Sequence, residues 1–428
     1  MRFRRRAYER SWRAFTIVIS ASEVTHTPSF VPSRHAAVVD EVAARVTQAH
    51  AVSTPLRIVG SGTWTDVGRP IHAELELSCA ELTGVIEYVP GDLVITVGAG
   101  ATLDDLAEIT AEHGQWFALD PIGDPRGTIG ATVATASSGP LALASGTIRD
   151  LVLGLGIISG TGTQLHVGGR VVKNVAGFDL VRLATGAFGT LGVITDVSLR
   201  LHARPAADAT FSIAHSDADA LIGIIAKLGH DALALHALEL LSPLLAQDIG
   251  AGDGSSWVLL ARATGNAATV ASQRATLASR ATVHEVDPTL WRALRMSDGA
   301  GATVRLSAPP AHLARTITQA EHATSGAGLS DTRLQATPHR GIVRVVMPAS
   351  SAPYESALAA LGEDHDARVA VVVQSLRAHA HRVLGERLPT TAWNALPAAA
   401  RDPVSQRIRD AFDPHRIMNR GIFGEEGS

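Results

Sequence analysis

The sequence contains very few of the residues on which several classes of protein depend. Cys79 is its single cysteine, so an intrachain disulfide is excluded. One thiolate also cannot provide the set of ligands that an iron–sulfur cluster or a structural zinc site normally needs. We therefore predict no metal site in this chain, and we expect Cys79 to be a small buried hydrophobe.

Long apolar runs and an excess of positive charge are also missing. No uncharged apolar run reaches the roughly 18 residues that a transmembrane helix needs. The formal net charge of -4 disfavours bulk attraction to nucleic acid, so an anionic ligand would need a local site. We expect a cytoplasmic protein without an integral membrane segment, or one held at the inner membrane through its partners.

The chain is rich enough in apolar residues to build more than one core. Hydrophobic residues make up 46% of 428 residues, and at about 150 residues per domain we expect two domains. The arginine-rich residues 1–29 are predicted to be a disordered extension. The predicted domains are 30–205 and 206–396, with residues 397–428 returning to the first domain.

Helical spacing of Val38, Val42 and Val46 predicts a helix that Pro55 stops, and the apolar run Leu56 to Val59 predicts a strand. This strand leads into Gly60-Ser61-Gly62-Thr63-Trp64. Glycine permits backbone angles and close approach that other residues resist, so we expect a tight loop open to a ligand.

Further along the first domain, alternation and turn residues predict more strands around a loop rich in small residues. Thr102 and Asp105 have the spacing of a capping box at a helix start. Residues 120–139 are predicted to be a loop that contacts something flat or anionic through its backbone. The predicted strands are Val85 to Val89, Leu93 to Val97, Leu151 to Ile158 and Gln164 to Val167.

After Pro205 the glycine loops become rarer, and Ala/Leu-rich helical stretches alternate with strands. This pattern predicts a second domain of α+β class. Its predicted strands include Trp257 to Leu260, Gly341 to Val346 and Val369 to Val373. The tail, Ala398 to Phe423, is predicted to be loop-like.

Three ordered segments carry a family resemblance: RIVGSGTW at 57–64, DPRGTIGATVATASSG at 124–139, and GRVVKNVAGFDLVRLATGAFGTLGVITDVSLRL at 169–201. Together they resemble the FAD-binding domain of the vanillyl-alcohol oxidase and p-cresol methylhydroxylase (PCMH) superfamily. The resemblance implies an α+β fold in which a two-subdomain FAD-binding unit is followed by a smaller α+β cap or substrate domain.

Within that superfamily, LATGAFGTLGVIT resembles the E subunit of bacterial glycolate oxidase, because relatives of the D subunit usually carry Glu where this chain has Phe188. KNVAGFD and FDPHRIMN point the same way. The resemblance therefore implies a subunit that works with a D-like flavoprotein and an iron–sulfur subunit on a small 2-hydroxy acid.

FAD carries a pyrophosphate, whose charges must meet backbone N–H groups or side chains once water is excluded. The resemblance implies non-covalent FAD, because the first glycine loop contains no histidine and Cys79 lies outside the family's usual attachment motifs. The implied cofactor contacts are Gly60, Ser61, Gly62, Thr63, Trp64, Pro121, Thr128, Gly130, Ala131, Thr135, Ala136, Gly139, Arg149, Asp150, Lys173, Val193, Ile194 and Asn419.

No catalytic residue is identified, although Lys173 and Arg305 are candidates. Lys173 is one of two lysines among 37 basic residues and lies inside a family motif, while Arg305 could bind a carboxylate bidentately. We expect an FAD-dependent oxidoreductase acting as a subunit. A stand-alone 2-hydroxy-acid dehydrogenase, a non-catalytic electron-transfer subunit and an NAD(P)H-dependent reductase remain open.

Overall fold

The computed structural model describes residues 32–169, 179–231, 233–297, 301–348, 355–379, 382–398 and 403–424. The predicted extension 1–29 and Lys173 lie outside these ranges. The first domain contains α1 (Pro32–Ala51), β1 (Leu56–Val59), β2 (Leu75–Ser78), β3 (Val85–Val89), β4 (Val94–Gly98), α2 (Leu103–Ala111), β5 (Gln115–Trp116), α3 (Ile129–Thr135), α4 (Ala142–Ser145), α5 (Ile148–Leu151), β6 (Val152–Ile158), β7 (Gln164–Gly168), α6 (Leu180–Ala184), β8 (Val193–Arg200) and β9 (His202–Ala203).

The first domain consists of two packed units. In the smaller one, α1 buries Val42, Val46 and Ala49 against the parallel pair β1–β2. The larger unit is an antiparallel sheet with the order β3-β4-β8-β6-β7. Because every second residue of a strand faces one side, Val197 and Leu199 of β8 are buried in the core below this sheet.

Several local predictions for this domain are confirmed. The helix ends at Ala51, before Pro55, and the next strand spans Leu56–Val59. At α2 the Thr102 hydroxyl accepts a hydrogen bond from the Asp105 N–H at 3.0 Å, and the Asp105 carboxylate accepts one from the Thr102 N–H at 3.2 Å. Both bonds satisfy helix N–H groups that would otherwise lack a partner.

The second domain is an α+β unit built on a larger sheet than we expected for a cap. Its eight strands have the order β13-β10-β12-β11-β15-β16-β14-β17 and are antiparallel throughout. The elements are β10 (Ala207–His215), α7 (Ala218–Leu228), β11 (Ala237–Leu241), α8 (Pro243–Asp248), β12 (Trp257–Gly265), α9 (Ala267–Ala278), β13 (His284–Val286), α10 (Leu290–Arg295), β14 (Ala302–Ser307), α11 (Leu313–Gly326), β15 (Arg333–Thr337), β16 (Ile342–Met347), α12 (Glu355–His379), β17 (Arg382–Arg387) and α13 (Thr390–Trp393).

The predicted strand at Val369 to Val373 is wrong, because these residues lie in α12. Val369, Val372 and Val373 are fully buried, whereas Val371 is 54% exposed. This is the spacing of one helix face and not the alternation of a strand. The run of valines favours a strand by composition, but the buried positions follow the helix. The helix packs on α11 and α13.

Two other segments predicted as loops contain helices. Residues 129–135 form α3, which begins after Thr128, whose hydroxyl accepts a hydrogen bond from the Ala131 N–H at 3.3 Å. Burial of Ile129 and Val133 anchors this helix despite its many small residues. The tail contains α14 (Pro403–Phe412), after which Ile417 accepts a hydrogen bond from the Leu56 N–H at 2.7 Å.

Candidate functional site

The first glycine loop opens into a cleft of about 880 Å³, which we name the glycine-loop cleft. Its floor is formed where β1 ends, its sides by α3 and the start of β8, and its rim by the tail. The lining is dominated by small and apolar residues: Ile58, Val59, Gly60, Ser61, Gly62, Thr63, Trp64, Ala99, Thr128, Gly130, Ala131, Ala134, Thr135, Phe188, Gly189, Ile194, Asn419 and Ile422.

The loop offers backbone donors to an anionic group. Among the described residues, the N–H groups of Ser61, Gly62 and Thr63 have no hydrogen-bond partner. Successive free N–H groups in a glycine-rich turn form a concave anion site. Gly62 has a backbone φ of +80°, which glycine adopts without strain. The loop therefore fits the pyrophosphate of a dinucleotide.

Glycine is also required where the loop approaches α3. A Cβ built on Gly60 would lie 2.4 Å from the Thr128 hydroxyl oxygen, and one on Gly130 would lie 2.8 Å from the Ala99 Cβ. Both distances are too short for real contacts. The first glycine loop and the start of α3 therefore pack directly against each other and form one wall of the cleft.

Asn419 fastens the tail to this wall. Its side-chain oxygen accepts a hydrogen bond from the Ile58 N–H at 2.8 Å, and its side-chain nitrogen donates one to the Phe188 carbonyl at 2.7 Å. Its own N–H donates to the Leu56 carbonyl at 3.0 Å. Asn419 is 7% exposed, so these bonds form in a largely water-free position. One side chain thus links three separate segments of the cleft.

A second cleft of about 900 Å³ lies between the first domain and the eight-stranded sheet. We name it the arginine chamber. The first-domain side consists of small and apolar residues: Trp64, Val67, Gly68, Ile122, Thr135, Ala136, Ser137, Ser138, Gly139, Pro140 and Phe188. The sheet side supplies polar residues: Arg305, Gln335, Thr337, Arg340, Arg344, Glu386 and Arg387.

Sheet register brings two of these arginines together. Arg305 on β14 and Arg344 on β16 are direct cross-strand partners, an arrangement in which like charges repel. Glu386 on β17 lies between them: its carboxylate is 2.7 Å from Arg344 and 3.6 Å from the Nε of Arg305. Burial lowers the pKa of Arg305. The carboxylate offsets part of the repulsion, and the remaining positive charge faces the chamber.

One buried carboxyl group, Glu239, and one half-buried group, Asp120, lie behind the chamber wall. The Glu239 carboxylate accepts hydrogen bonds from the Thr337 hydroxyl at 2.9 Å and from the Gln335 amide at 3.0 Å. Burial raises the pKa of Glu239 to about 8 and that of Asp120 to about 7. The charge of Asp120 further raises the pKa of Glu239, so Glu239 favours its protonated form at neutral pH, whereas Asp120 titrates close to neutral pH.

The glycine-loop cleft and the arginine chamber share one wall. Trp64, Val67, Thr135 and Phe188 line both of them. A long ligand could therefore be held at one end by the glycine loop while its other end faces the arginines.

Most of the predicted cofactor contacts lie at these two clefts. Those lining the glycine-loop cleft are Gly60, Ser61, Gly62, Thr63, Trp64, Thr128, Gly130, Ala131, Thr135, Ile194 and Asn419, while Ala136 and Gly139 line the chamber. Pro121 lines a small adjoining cavity together with Thr63 and Trp64.

Three predicted contacts lie elsewhere. Asp150 caps α5 by accepting hydrogen bonds from the N–H and hydroxyl of Thr147, both at 2.8 Å. Arg149 donates to the Thr185 carbonyl at 3.4 Å. Val193 is fully buried in the core. None of the three lines either cleft, and their assignment as cofactor contacts stays a prediction.

Sequence reasoning found Arg305 but missed Arg340, Arg344, Glu386 and the buried Glu239. The available signal was a charged residue within an apolar strand, as in ALELL for Glu239 and IVRVVM for Arg344. Charged residues are rarely buried unless they are paired. The local sequence does not show that these residues meet at one chamber, because they lie on separate elements of the sheet.

Comparison with known proteins identifies the class to which this site belongs. Residues 35–168 match the family model described as an FAD binding domain. These residues thus form an FAD-binding domain, and FAD is the cofactor that the resemblance implied. It is 40% identical over 166 residues to the glycolate oxidase subunit GlcE of Escherichia coli strain K12, a match that covers 38% of this chain and 47% of the relative.

A second relative is a D-lactate dehydrogenase of Archaeoglobus fulgidus, 36% identical over 163 residues, with 38% of this chain and 36% of the relative covered. The chain spans less than half the length of both relatives. Sequence similarity to them is therefore confined to part of each protein.

Solved structures extend the likeness of fold to both domains. A 4-ethylphenol oxidase from Gulosibacter chungangensis superposes with a TM-score of 0.69 at 13% identity, covering 90% of this chain and 87% of that one. An alkyldihydroxyacetonephosphate synthase gives a TM-score of 0.63 at 15% identity, covering 89% and 74%. At such identities the likeness concerns the fold alone.

Membrane-spanning helices and clusters of metal-binding side chains are both absent from the described residues. No described helix combines the length and apolar character needed to cross a membrane. Within the same residues, His, Cys, Asp and Glu side chains form no group of three or more that could hold a metal ion.

Proposed function

We propose that this chain is an FAD-dependent oxidoreductase that oxidises a small 2-hydroxy acid in the arginine chamber. The observation that carries the proposal is the shared wall of Trp64, Val67, Thr135 and Phe188. Because of this shared wall, the arginines of the chamber lie beside the cleft that fits FAD, which supports binding of a carboxylate substrate there. The relatives named for glycolate oxidation and for D-lactate dehydrogenation agree with this substrate class.

Arg305 is the residue we propose to bind the substrate carboxylate. Its side chain is 36% exposed, and among the described residues its one ionic contact is the 3.6 Å approach to Glu386. A guanidinium group can form two parallel hydrogen bonds with a carboxylate, which fixes the orientation of the acid as well as holding it. Glu386, which Arg344 binds at 2.7 Å, lies 3.6 Å from the Arg305 Nε and helps to orient that side chain.

The first-domain wall supplies the complementary surface. Residues 135–140 bring small side chains to the chamber, so a flat ring can approach the backbone closely. When bound, FAD supplies the capacity to accept two electrons from the substrate. The chain's own contribution is to bind the acid, orient its oxidisable carbon and keep water out of the chamber.

We further propose that the chain works as a subunit of a glycolate oxidase-like complex and passes electrons to an iron–sulfur partner. The similarity to a glycolate oxidase subunit supports this assignment. One cysteine cannot ligate such a cluster within this chain. Lys173 remains a candidate for contact with the flavin or the substrate.

The test uses the purified full chain loaded with FAD. Glycolate, D-lactate and L-lactate are added in turn without oxygen, and flavin absorbance is followed. Reduction by one of them supports the proposed activity, and reduction only after addition of D-like and iron–sulfur subunits supports the subunit assignment. A protein that retains FAD but is reduced under neither condition would contradict both.

Two matched variants test whether Arg305 binds the substrate carboxylate. R305Q should weaken binding of the reducing acid about 10- to 100-fold, the effect of losing one charge-assisted contact. R382Q removes an exposed arginine of the neighbouring strand that does not line the chamber, so it should change binding less than about twofold. Equal effects would refute a specific role for Arg305.

A further inference from the structure

The arginine chamber contains more positive charge than one carboxylate would neutralise. Its lining includes Arg305, Arg340, Arg344 and Arg387, while Glu386 is its one carboxylate among the described residues. Outside the lining, Asp66 forms an ion pair with Arg387. Arg344 pairs with Glu386 and Arg387 with Asp66, whereas Arg305 has only its 3.6 Å approach to Glu386 among the described carboxylates.

Arg340 provides the charge that the proposed function leaves unused. It lies in the turn between β15 and β16 and lines the chamber. No described side chain or carbonyl forms an ion pair or hydrogen bond with its guanidinium group. Burial is the main reason why the pKa values of Arg305 and His339 are lowered, and the charge of Arg340 lowers both further, so it adds to an already positive surface.

Uncompensated positive charges that lie together in a partly enclosed cleft are unfavourable unless an anion joins them. The neighbouring acids do not provide that compensation. Glu239 lies behind Thr337 and Gln335, and its pKa of about 8 keeps it largely protonated at pH 7. Glu386 is already engaged by Arg344 through both Nε and a terminal nitrogen, at 2.9 and 2.7 Å.

We infer that the chamber takes a substrate with two anionic groups, a 2-hydroxy dicarboxylic acid, with Arg305 binding one carboxylate and Arg340 the other. This inference rests on the proposed function and specifies its substrate class. Arg305 and Arg340 line the same chamber, so one acid with two carboxylates can contact both guanidinium groups.

The charge on Arg340 could instead stabilise the flavin, so the test must separate substrate binding from the properties of the cofactor. Non-oxidisable ligands of matched length are suitable: propionate against malonate and butyrate against succinate. Each is titrated into the FAD-loaded full chain at constant ionic strength, and binding is followed by isothermal calorimetry and by the flavin absorption spectrum. The flavin midpoint potential is measured in parallel.

In the wild-type protein, each dicarboxylate should bind about tenfold or more tightly than its monocarboxylate, because it gains one further charge-assisted contact. In R340Q this ratio should fall toward one. R382Q, which removes a nearby exposed arginine outside the chamber, should keep the wild-type ratio. Anaerobic flavin reduction by D- or L-malate should likewise need lower concentrations than reduction by the lactate of the same configuration.

Equal affinity for mono- and dicarboxylates in the wild-type protein would overturn the inference while leaving the proposed 2-hydroxy-acid oxidation intact. A shift of the flavin potential in R340Q without a change in the binding ratio would also overturn it and assign Arg340 to the cofactor. If neither ligand class binds and no hydroxy acid reduces the flavin, the proposed function itself fails.

Discussion

Gly62 offers a direct test of the pyrophosphate loop through the substitution Gly62→Val. Its φ is +80°, and a Cβ built there meets no atom of a described residue within 4 Å. A valine would therefore not collide with the protein. It would strain the backbone by about 1–3 kcal/mol, because β-branched residues disfavour positive φ, and its methyl groups would project into the cleft.

The expected effect on FAD is larger than the effect on folding. The N–H groups of Ser61, Gly62 and Thr63 are free among the described residues, so a displaced pyrophosphate would lose contacts with them. Each hydrogen bond to a charged group contributes about 1.5–3 kcal/mol. Loss of one or two such bonds corresponds to an FAD affinity about 100-fold weaker.

Gly84 provides the matched control, because it has a φ of +89°, an equally open Cβ position and no place in either cleft. Gly84→Val should carry a similar folding cost and leave FAD affinity within about twofold of wild type. Urea unfolding of the FAD-free proteins measures the first quantity, and fluorescence titration with FAD measures the second. If Gly62→Val retains wild-type affinity, or both variants lose FAD equally, the loop does not hold the pyrophosphate.

Three further predictions concern groups that the structure buries. Asn419→Ala should lower the free energy of unfolding by about 2–4 kcal/mol, because the partly buried backbone groups of Ile58 and Phe188 lose their hydrogen bonds to this buried side chain. The exposed control Asn394→Ala should cost under about 0.5 kcal/mol in the same urea titration, and equal costs would contradict the assigned role. Burial raises the pKa of Glu239 to about 8, above its unfolded value of 4.5. The stability that protonated Glu239 contributes is therefore complete below about pH 4.5 and is lost as the pH rises toward 8. Glu239→Gln should flatten the fall of the unfolding free energy between these pH values, and an unchanged slope would refute the pKa shift. Burial also raises the pKa of the Cys79 thiol to about 12; iodoacetamide at pH 8 should therefore modify Cys79 only in urea, as mass spectrometry would detect, and rapid modification of the native protein would contradict its buried position.

Local sequence signals predicted the first domain well because its chemistry is encoded by neighbouring residues. The break at Pro55, the capping box of Thr102 and Asp105, and the glycines of the first loop act over a few residues. The same approach failed at Val369 to Val373, where β-branched composition predicted a strand although the buried positions follow a helix. The buried valines there have helical spacing, but this spacing extends over only a few residues.

The sequence by itself indicated the cofactor class through the family resemblance of three segments, which are recognisable because a loop that cradles a pyrophosphate needs glycine and small residues at fixed local spacing. Only the tertiary structure decided where the arginine chamber lies. Arg305, Arg344 and Glu386 belong to three strands, and the pairing of β14 with β16 and β17 brings them together. Strand pairing over such distances depends on the burial of the whole sheet, which no short stretch of sequence specifies.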